Sequence, residues 1–344
     1  MTKMTRIALA ALAVMGATTA IAQSSVTLYG RINTTVERQK SGNQTVTGMQ
    51  NNASRWGIRG TEDLGGGLKA GFTLESGFNS DTGTGSGWTH PTTGMSFARQ
   101  SEVNLSGGFG MVRLGNFVPE SYYATADYVS MHNHDTGSSS DAFYDDPVWF
   151  GGVNGGGLST RNKIGYRTPS MGGVTVDAAI SLAEKDPALF QKNKNGYDLA
   201  ANYNTGPVHL GAGYSKVGDN WQAAFRGLYT FGQFTVGGYY QRSHVGFALP
   251  GQVAAGNRNN FRLSAMYALG ASEFHANVGR ANKWSNIADS AATQYTLGYN
   301  YNLSKRTKVY GYYTKVNNSK GAAYMTGTAG ADFSSFALGV RHNF

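Results

Sequence analysis

The last nine residues, Phe336-Ala-Leu-Gly-Val-Arg-His-Asn-Phe344, alternate large apolar side chains with small or polar ones. One face of the extended chain carries Phe336, Leu338, Val340 and Phe344, and the other carries Ala337, Gly339, Arg341 and Asn343. A period of two residues is typical of a β-strand that has one apolar and one polar face. The chain therefore ends in a predicted amphipathic strand.

The same alternation recurs along most of the sequence, for example over 174–182, 258–269 and 292–303. Glycine, proline and polar residues separate these segments and predict turns. We count sixteen predicted strands: 25–38, 53–63, 67–78, 96–106, 111–117, 160–169, 173–183, 195–205, 207–217, 219–230, 232–243, 258–269, 272–283, 292–303, 306–317 and 332–344. An even number of antiparallel strands allows a sheet to close into a barrel without free edges. The predicted fold is all-β.

Strands with one apolar and one polar face occur in two kinds of architecture. A soluble sandwich buries the apolar face, whereas a transmembrane barrel turns that face to lipid and the polar face to a wet lumen. The connections favour the barrel, because tight turns such as Gly65-Gly66-Gly67 alternate with long polar loops such as 79–95 and 244–257. Short turns at one end and long loops at the other are typical of outer-membrane barrels. Aromatic residues near the strand ends fit the girdles at membrane interfaces.

The N-terminus predicts export. Lys3 and Arg6 precede a short apolar run, and Ala20-Ile21-Ala22 supplies the small residues of a cleavage site. The apolar run is shorter than the roughly 20 residues that a membrane-spanning helix needs. We therefore expect a signal peptide over 1–22 and a single barrel domain over 23–344.

Composition and motifs exclude several classes of function. The chain has no cysteine, so disulfide scaffolds, thiol nucleophiles and cysteine metal sites are excluded. The glycine-rich runs lack the Lys-Ser/Thr of a phosphate-binding loop, and nothing resembles a nucleophile elbow. His132-Asn133-His134-Asp135 is at most a partial metal-ligand set. The net charge of +9 comes without a clustered basic helix, which argues against nucleic-acid binding. We predict no enzymatic activity, no cofactor, no metal and no nucleic-acid partner.

One segment interrupts the pattern of strands. Residues 118–159 run about 40 positions without a convincing strand and contain many aromatic residues. A connection of this length is usually functional or disordered, and its aromatic content argues against disorder. We expect it to fold into the barrel lumen and narrow it.

Several motifs together resemble trimeric Gram-negative porins, especially those of β-proteobacterial and neisserial type. They are Val26-Thr-Leu-Tyr-Gly-Arg31, Ser54-Arg-Trp-Gly-Ile-Arg-Gly-Thr-Glu-Asp-Leu-Gly-Gly-Gly-Leu-Lys-Ala-Gly-Phe72, Arg99-Gln-Ser-Glu-Val-Asn-Leu-Ser-Gly-Gly-Phe-Gly110, Arg161-Asn-Lys-Ile-Gly-Tyr166 and the terminal phenylalanine. The resemblance covers the whole chain after position 22. It implies a 16-stranded barrel in the outer membrane, assembled as a homotrimer among outer-membrane lipids and lipopolysaccharide, with an inward third loop that forms the constriction. The implied function is passive diffusion of small hydrophilic solutes after export through the periplasm.

The resemblance also implies basic residues on the pore wall. Arg31, Arg55, Arg99 and Arg161 occupy the matching positions. Alternation supports Arg31 and Arg55 and adds Arg59, whereas Arg99 shares its parity with the apolar Val103 and Leu105. Either a bulge intervenes there or the local pattern departs from the family.

The opposing acidic groups are expected in the inward loop. We single out Glu120 and Asp127 among its carboxylates, which also include Asp135, Asp141, Asp145 and Asp146. Guanidinium groups that converge in a narrow throat predict anion selectivity. The alternative is a solute-specific channel with an aromatic lining, to which Tyr122, Tyr123, Tyr128 and Trp149 would contribute. More remote alternatives are a barrel enzyme and an adhesin.

Overall fold

A computed structural model describes residues 25–86, 96–132, 137–145, 161–183, 194–246 and 253–344. Within these ranges the chain forms one antiparallel sheet of sixteen barrel strands, which closes because the first strand pairs with the last. The strands are β1 Ser25–Ser41, β2 Gln44–Asn51 and Arg55–Gly65, β3 Leu68–Phe78, β4 Gln100–Gly107, β5 Gly110–Asn116, β6 Lys163–Arg167, β7 Val174–Ser181, β8 Gly196–Thr205, β9 Val208–Val217, β10 Asn220–Phe231, β11 Phe234–Val245, β12 Gly256–Leu269, β13 Ser272–Ala281, β14 Ala292–Asn302, β15 Thr307–Asn318 and β16 Phe333–Asn343. The predicted all-β, 16-stranded antiparallel barrel is confirmed.

The second strand is continuous in space but interrupted in hydrogen bonding. Its halves, Gln44–Asn51 and Arg55–Gly65, pair in turn with the two ends of β1. A two-residue strand, Gly85–Ser86, pairs with the end of β3 beyond β4. Backbone hydrogen bonds therefore define eighteen extended segments in the described part of the sheet. The second barrel strand counts as two of them, and Gly85–Ser86 adds one to the sixteen barrel strands.

The outer face of the barrel is apolar and the inner face is polar. On β14, Leu297 is 63% exposed while its neighbour Thr296 is 1% exposed. This is the reverse of a soluble sandwich, in which the apolar stripe would be buried. The alternation therefore places the large apolar side chains toward lipid and the polar ones toward the lumen.

The two ends of the barrel differ. At one end, tight turns join the strands, and Phe344 pairs there with Gly30 of β1 through two backbone hydrogen bonds of 3.0 Å. The other end carries the longer connections together with two-residue turns at 42–43 and 218–219. We refer to them as the turn end and the loop end. No helix in the described ranges has the length and apolar character needed to cross a membrane.

The first hairpin extends further than the sequence predicted. β1 continues to Ser41 and the second strand begins at Gln44, whereas the predicted strands stopped at 38 and restarted at 53. Residues 39–52 are rich in glutamine, asparagine and threonine and lack an apolar stripe. Backbone pairing beyond the apolar band forms these strand ends, so hydrophobic alternation does not detect them.

Candidate functional site in the barrel lumen

The connection between β5 and β6 enters the barrel. We call its described residues, 117–132 and 137–145, the inner segment. It begins with a short helix, α1 (Glu120–Thr125), which packs against the inner face of β9. Gly211 and Gly213 allow this contact, because a Cβ at Gly211 would overlap the Ala124 carbonyl and a Cβ at Gly213 would lie 2.8 Å from the Ser121 Cβ.

Both ends of α1 are held by charged groups of the barrel wall. The Asp198 carboxylate on β8 accepts hydrogen bonds from the backbone N–H groups of Glu120 (2.8 Å) and Ser121 (3.3 Å). At the other end, Nη1 of Arg226 on β10 donates to the carbonyl oxygens of Tyr123 (3.2 Å) and Asp127 (3.5 Å). An anion at the N-terminus and a cation at the C-terminus satisfy the unpaired helix groups and match the helix dipole.

The inner segment then crosses the lumen. His132 is 1% exposed and packs against β13, β14 and β15, where its ring lies 5.3 Å from the ring of His275 and 5.5 Å from that of Tyr312. Gly298 makes room for it, since a Cβ there would lie 2.6 Å from Nδ1 of His132. The segment thus contacts β8–β10 first and the distant β13–β15 wall afterwards.

Glu37 on β1 anchors the far side of the inner segment. The side chain is 1% exposed and its two oxygens accept five hydrogen bonds of 2.6 to 2.9 Å. The donors are Thr35, Gln39, Tyr312, Ser335 and, from the inner segment, the hydroxyl of Ser138. Only the Ser138 bond joins the segment to this carboxylate.

The returning limb of the segment is fixed under the loop end. The carboxylate of Asp141 forms an ion pair of 2.9 Å with Arg262 on β12, and the N–H groups of Ala142 and Asp145 donate to the side chains of Gln294 and Gln241. Burial alone would raise the pKa of Asp141, but the charge and hydrogen bond of Arg262, together with hydrogen bonds from the Tyr239 hydroxyl and the Phe143 N–H, lower it. Asp141 therefore stays ionised in its buried position.

The predicted basic residues gather on one wall. Arg31 on β1 lies opposite Arg55 on β2 in the register, so both point into the lumen. Arg55 and Arg99 approach the same carboxylate, that of Glu75 on β3, with Nε to Oε1 distances of 3.8 and 2.7 Å. Arg59 lies on the same face toward the turn end, with its guanidinium 5.0 Å from the centre of the Tyr29 ring.

The structure explains the conflicting parity of Arg99. β4 begins at Gln100, and Val103 and Leu105 point outward as their parity requires. Arg99 precedes the strand, so the strand alternation does not fix its side chain, which reaches Glu75 from the strand edge. Arg161 likewise precedes β6 and is partly buried, and the intervening Asn162 has a positive φ of 54° that breaks the alternation.

The predicted acidic residues Glu120 and Asp127 lie beside other arginines of the wall. Glu120 forms ion pairs with Arg113 on β5 and with Arg167 on β6, the latter at 2.8 Å. Arg113 also pairs with Glu102 at 2.6 Å, and Arg167 with Asp177 at 2.6 Å. Asp127 is buried beside Arg226. Of the other loop carboxylates, Asp135 and Asp146 lie outside the described residues, as does Trp149.

Several further lumenal cations were not predicted as pore residues, although alternation had placed Arg341 on a polar face. They are Arg113, Lys163, Arg167, Arg226, Arg258, Arg262, Lys308 and Arg341. Their parity was a usable signal, because Val112 and Leu114 flank Arg113, and Ile164 and Tyr166 alternate with Lys163 and Arg167. Within the described ranges, no three histidine or acidic side chains are arranged to hold a metal ion.

Comparisons with known proteins agree over nearly the whole chain. A sequence profile described as Gram-negative porin matches residues 8–321. Outer membrane porin protein 32 of Delftia acidovorans is 32% identical over 99% of this chain and 100% of its own length. The major outer membrane protein P.IB of Neisseria meningitidis is 27% identical over 94% of this chain and 95% of its own. Among solved structures, an anion-selective porin from Comamonas acidovorans is similar with a TM-score of 0.76 and 29% identity, covering 94% of this chain and all of that one.

Proposed function

Because this chain belongs to the Gram-negative porin family, we propose that the arginine wall of its lumen makes the channel prefer anions. As an outer-membrane porin, the protein provides a path for the passive diffusion of small hydrophilic solutes. The proposal concerns which of those solutes pass more easily and which residues decide it.

The observation that carries the proposal is the register of Arg31 and Arg55. The two side chains lie side by side on the inner face of β1 and β2, and both guanidinium groups donate to the carbonyl oxygen of Ala53, at 3.2 and 3.5 Å. Arg99 approaches the same wall through Glu75. Charges on a wall backed by apolar material are poorly screened, so they create a positive potential in the water beside them. Arginine keeps its charge at physiological pH, and its planar fork binds carboxylate and phosphate oxygens.

The inner segment also supports a preference for anions. Glu120, Asp141 and Asp127 are each held by an arginine of the wall on β5, β6, β10 or β12. We propose that the segment narrows the lumen beside the arginine wall, and that Arg31, Arg55, Arg59, Arg99 and Arg161 line the constriction with Glu120 and Asp127 at its base. The solved relative described as anion-selective supports the preference for anions.

A solute-specific aromatic lining is less well supported. The ring of Tyr122 lies 5.6 Å from that of Tyr144, and Tyr144 in turn lies 5.6 Å from Tyr239 on the wall. The hydroxyl groups of Tyr144 and Thr125 are 2.8 Å apart. These contacts use the aromatic rings to pack the segment against the barrel rather than to form a continuous track.

The remaining proposals concern the mature protein and its partners. We propose that the signal peptide is cleaved after Ala22, and N-terminal sequencing of the outer-membrane protein would test this. We also propose that the protein is a channel without catalytic activity. We further propose a homotrimer surrounded by outer-membrane lipid and lipopolysaccharide. The outer faces of β3–β7 suit contact between subunits, since they carry mainly aliphatic side chains such as Leu74, Leu105, Leu114 and Ile180.

Selectivity is tested by the reversal potential of single channels in a gradient of potassium chloride. The wild type should give the sign of a chloride-preferring pore, and Arg31→Gln with Arg55→Gln should move the potential toward cation preference. The matched control is Arg38→Gln, which removes an arginine from the outward face of the same strand and should leave the potential unchanged. A cation-preferring wild type would contradict the proposal.

A further inference from the structure

The outer face of the barrel carries a row of cations at the loop end. Lys216, Arg242, Arg280 and Lys315 lie on β9, β11, β13 and β15, each within three residues of the end of its strand. We call these four residues the cation belt. Their neighbours in the register point outward: Lys216 is opposite Trp221, Arg280 is opposite Phe261 and Lys315 is opposite Tyr295. Arg38 and Lys40 extend the row onto β1.

Within the described strands that carry the cation belt, no carboxylate lies on the outer face, and exposed Asp219 lies in the turn after β9. Along the described strands β8 to β16, every aspartate and glutamate faces the lumen, as Asp198 and Glu273 do. Nη1 of Arg280 donates to the hydroxyl of Thr293 at 2.7 Å, which is a neutral partner. Cations at the edge of an apolar band are stabilised when an anion from outside the protein neutralises them.

Aromatic residues lie on the outer face at both ends of these strands, but at the turn end they are not interleaved with cations on the strands. Aromatic rings run across the outer face at the turn end with centroid distances of 4.7 to 6.3 Å between neighbours. They are Phe231, Phe234, Tyr267, Phe274 and Tyr299. Aromatic side chains are enriched where a membrane protein crosses the interface between lipid and water. The cation belt therefore marks a second interface whose head groups are anionic.

The orientation of the barrel identifies that interface. Long loops of outer-membrane barrels are external and short turns are periplasmic, so the cation belt lies in the external leaflet. The external leaflet of this membrane is built from a glycolipid whose head group carries phosphates. Cations on every second strand are roughly 10 Å apart laterally. That separation allows neighbouring residues to bind separate phosphates of one layer of head groups.

We propose that Lys216, Arg242, Arg280 and Lys315 bind the phosphate groups of the external glycolipid. The inference rests on the proposed contact with lipopolysaccharide and assigns it to specific residues. Arginine forks form paired hydrogen bonds with phosphate oxygens, and lysine adds a point charge. The strands β3, β5 and β7 have no such cation at the equivalent outward positions, which are occupied by residues such as Leu114 and Ile180. The glycolipid is thereby confined to the side of the barrel that runs from β9 through β15 to β1.

The test compares lipid binding to two variants of the full-length porin in detergent, measured by native mass spectrometry. In R242Q/R280Q, two belt cations are removed. In the control K305Q/R306Q, two cations of the turn between β14 and β15 are removed. Each belt charge near an anionic surface contributes about a fivefold change in affinity, so R242Q/R280Q should bind lipid A about 30-fold more weakly than the wild type. The control should bind like the wild type.

The ligands separate the sources of phosphate. Lipid A from which the phosphates have been removed should bind the wild type at least as weakly as lipid A binds R242Q/R280Q, because two further belt cations also lose their partners. Millimolar inorganic phosphate should not compete. Equal binding of both lipids, or full competition by inorganic phosphate, would overturn the proposal. The conservative variant R242K/R280K should keep lipid A binding within about threefold, since it retains the charge. R242Q/R280Q should also keep the wild-type reversal potential, so failure of this proposal is distinguishable from failure of the anion-selective pore.

Discussion

Removal of the Ser138 hydroxyl should release the inner segment from β1. The Ser138 Oγ donates to Oε2 of Glu37 at 2.6 Å, and it is the one donor among the five that belongs to the segment. A hydrogen bond to a charged, buried acceptor contributes about 1.5–3 kcal/mol. In Ser138→Ala, the equilibrium between the docked and released segment should therefore shift by about tenfold to about a hundredfold.

Single-channel recording in a planar bilayer measures this shift. A released segment changes the cross-section of the lumen, so the channel should visit a second conductance level. In Ser138→Ala, the time spent in the second conductance level relative to the main level should rise by about tenfold to about a hundredfold. Glu37→Gln should have a similar effect, because it weakens the acceptor of the same hydrogen bond. Because both changes affect one bond, the double variant should show little more than either single variant.

The matched control is Ser335→Ala. Ser335 on β16 donates to the same carboxylate oxygen at 2.9 Å, but it joins one wall strand to another. Its loss should leave the ratio of levels within about twofold, since the segment keeps its bond. If Ser138→Ala and Ser335→Ala change the ratio equally, or if neither does, the carboxylate of Glu37 does not hold the segment in the lumen.

Three further perturbations have defined outcomes. Burial, with the nearby His275, lowers the pKa of His132 to about 3, so the released segment takes up a proton below pH 6.5 that the docked segment excludes. Docking should weaken about tenfold per pH unit from 6.5 toward 3, seen as a growing second conductance level. Gly211→Val should displace α1 at a cost of about 1–3 kcal/mol, measured as a lower unfolding midpoint and an altered conductance. Arg113→Met should destabilise the barrel by about 3–5 kcal/mol, because it leaves buried carboxylates without their partner.

Each of these has its own control. His132→Gln should remove the pH dependence, although Glu273, His275 and Lys308 still face that site; a dependence that survives would belong to them. Gly227→Val on the outer face should be tolerated, because the nearest atom to its Cβ is 3.7 Å away. Adding Glu102→Gln to Arg113→Met should restore part of the stability, and a further loss would contradict the ion-pair argument.

The strands could be predicted because the membrane imposes a period of two. Residues 258–269 were predicted as a strand and the structure has Gly256–Leu269, with Leu263 outward and Arg262 inward. The signal weakens where no membrane or core selects one face. The polar ends of β1 and β2 were missed for that reason, and the start of β4 at Gln100 instead of 96 left the parity of Arg99 unexplained.

Contacts inside the lumen could not be predicted, because they join residues far apart in the sequence. Alternation indicates that Arg113 and Arg167 face inward, but it does not show that both meet Glu120. Alternation also does not show that the Ser138 hydroxyl donates a hydrogen bond to Glu37. The sequence therefore predicted the wall and the presence of an inward loop, while the ion pairs depend on the path that the loop takes.

That path is nevertheless marked on the wall by small residues. Inward glycines occur where the inner segment touches the barrel: Gly165 beside Phe117, Gly211 beside Ala124 and Gly298 beside His132. A side chain at any of these positions would occupy space that the segment fills. These three glycines thus leave room for the segment, so substitutions there should change pore geometry. On the wall formed by β1 and β2, Arg31 and Arg55 likewise lie on the inner face. Substitutions at the arginines proposed to line the constriction should instead change selectivity.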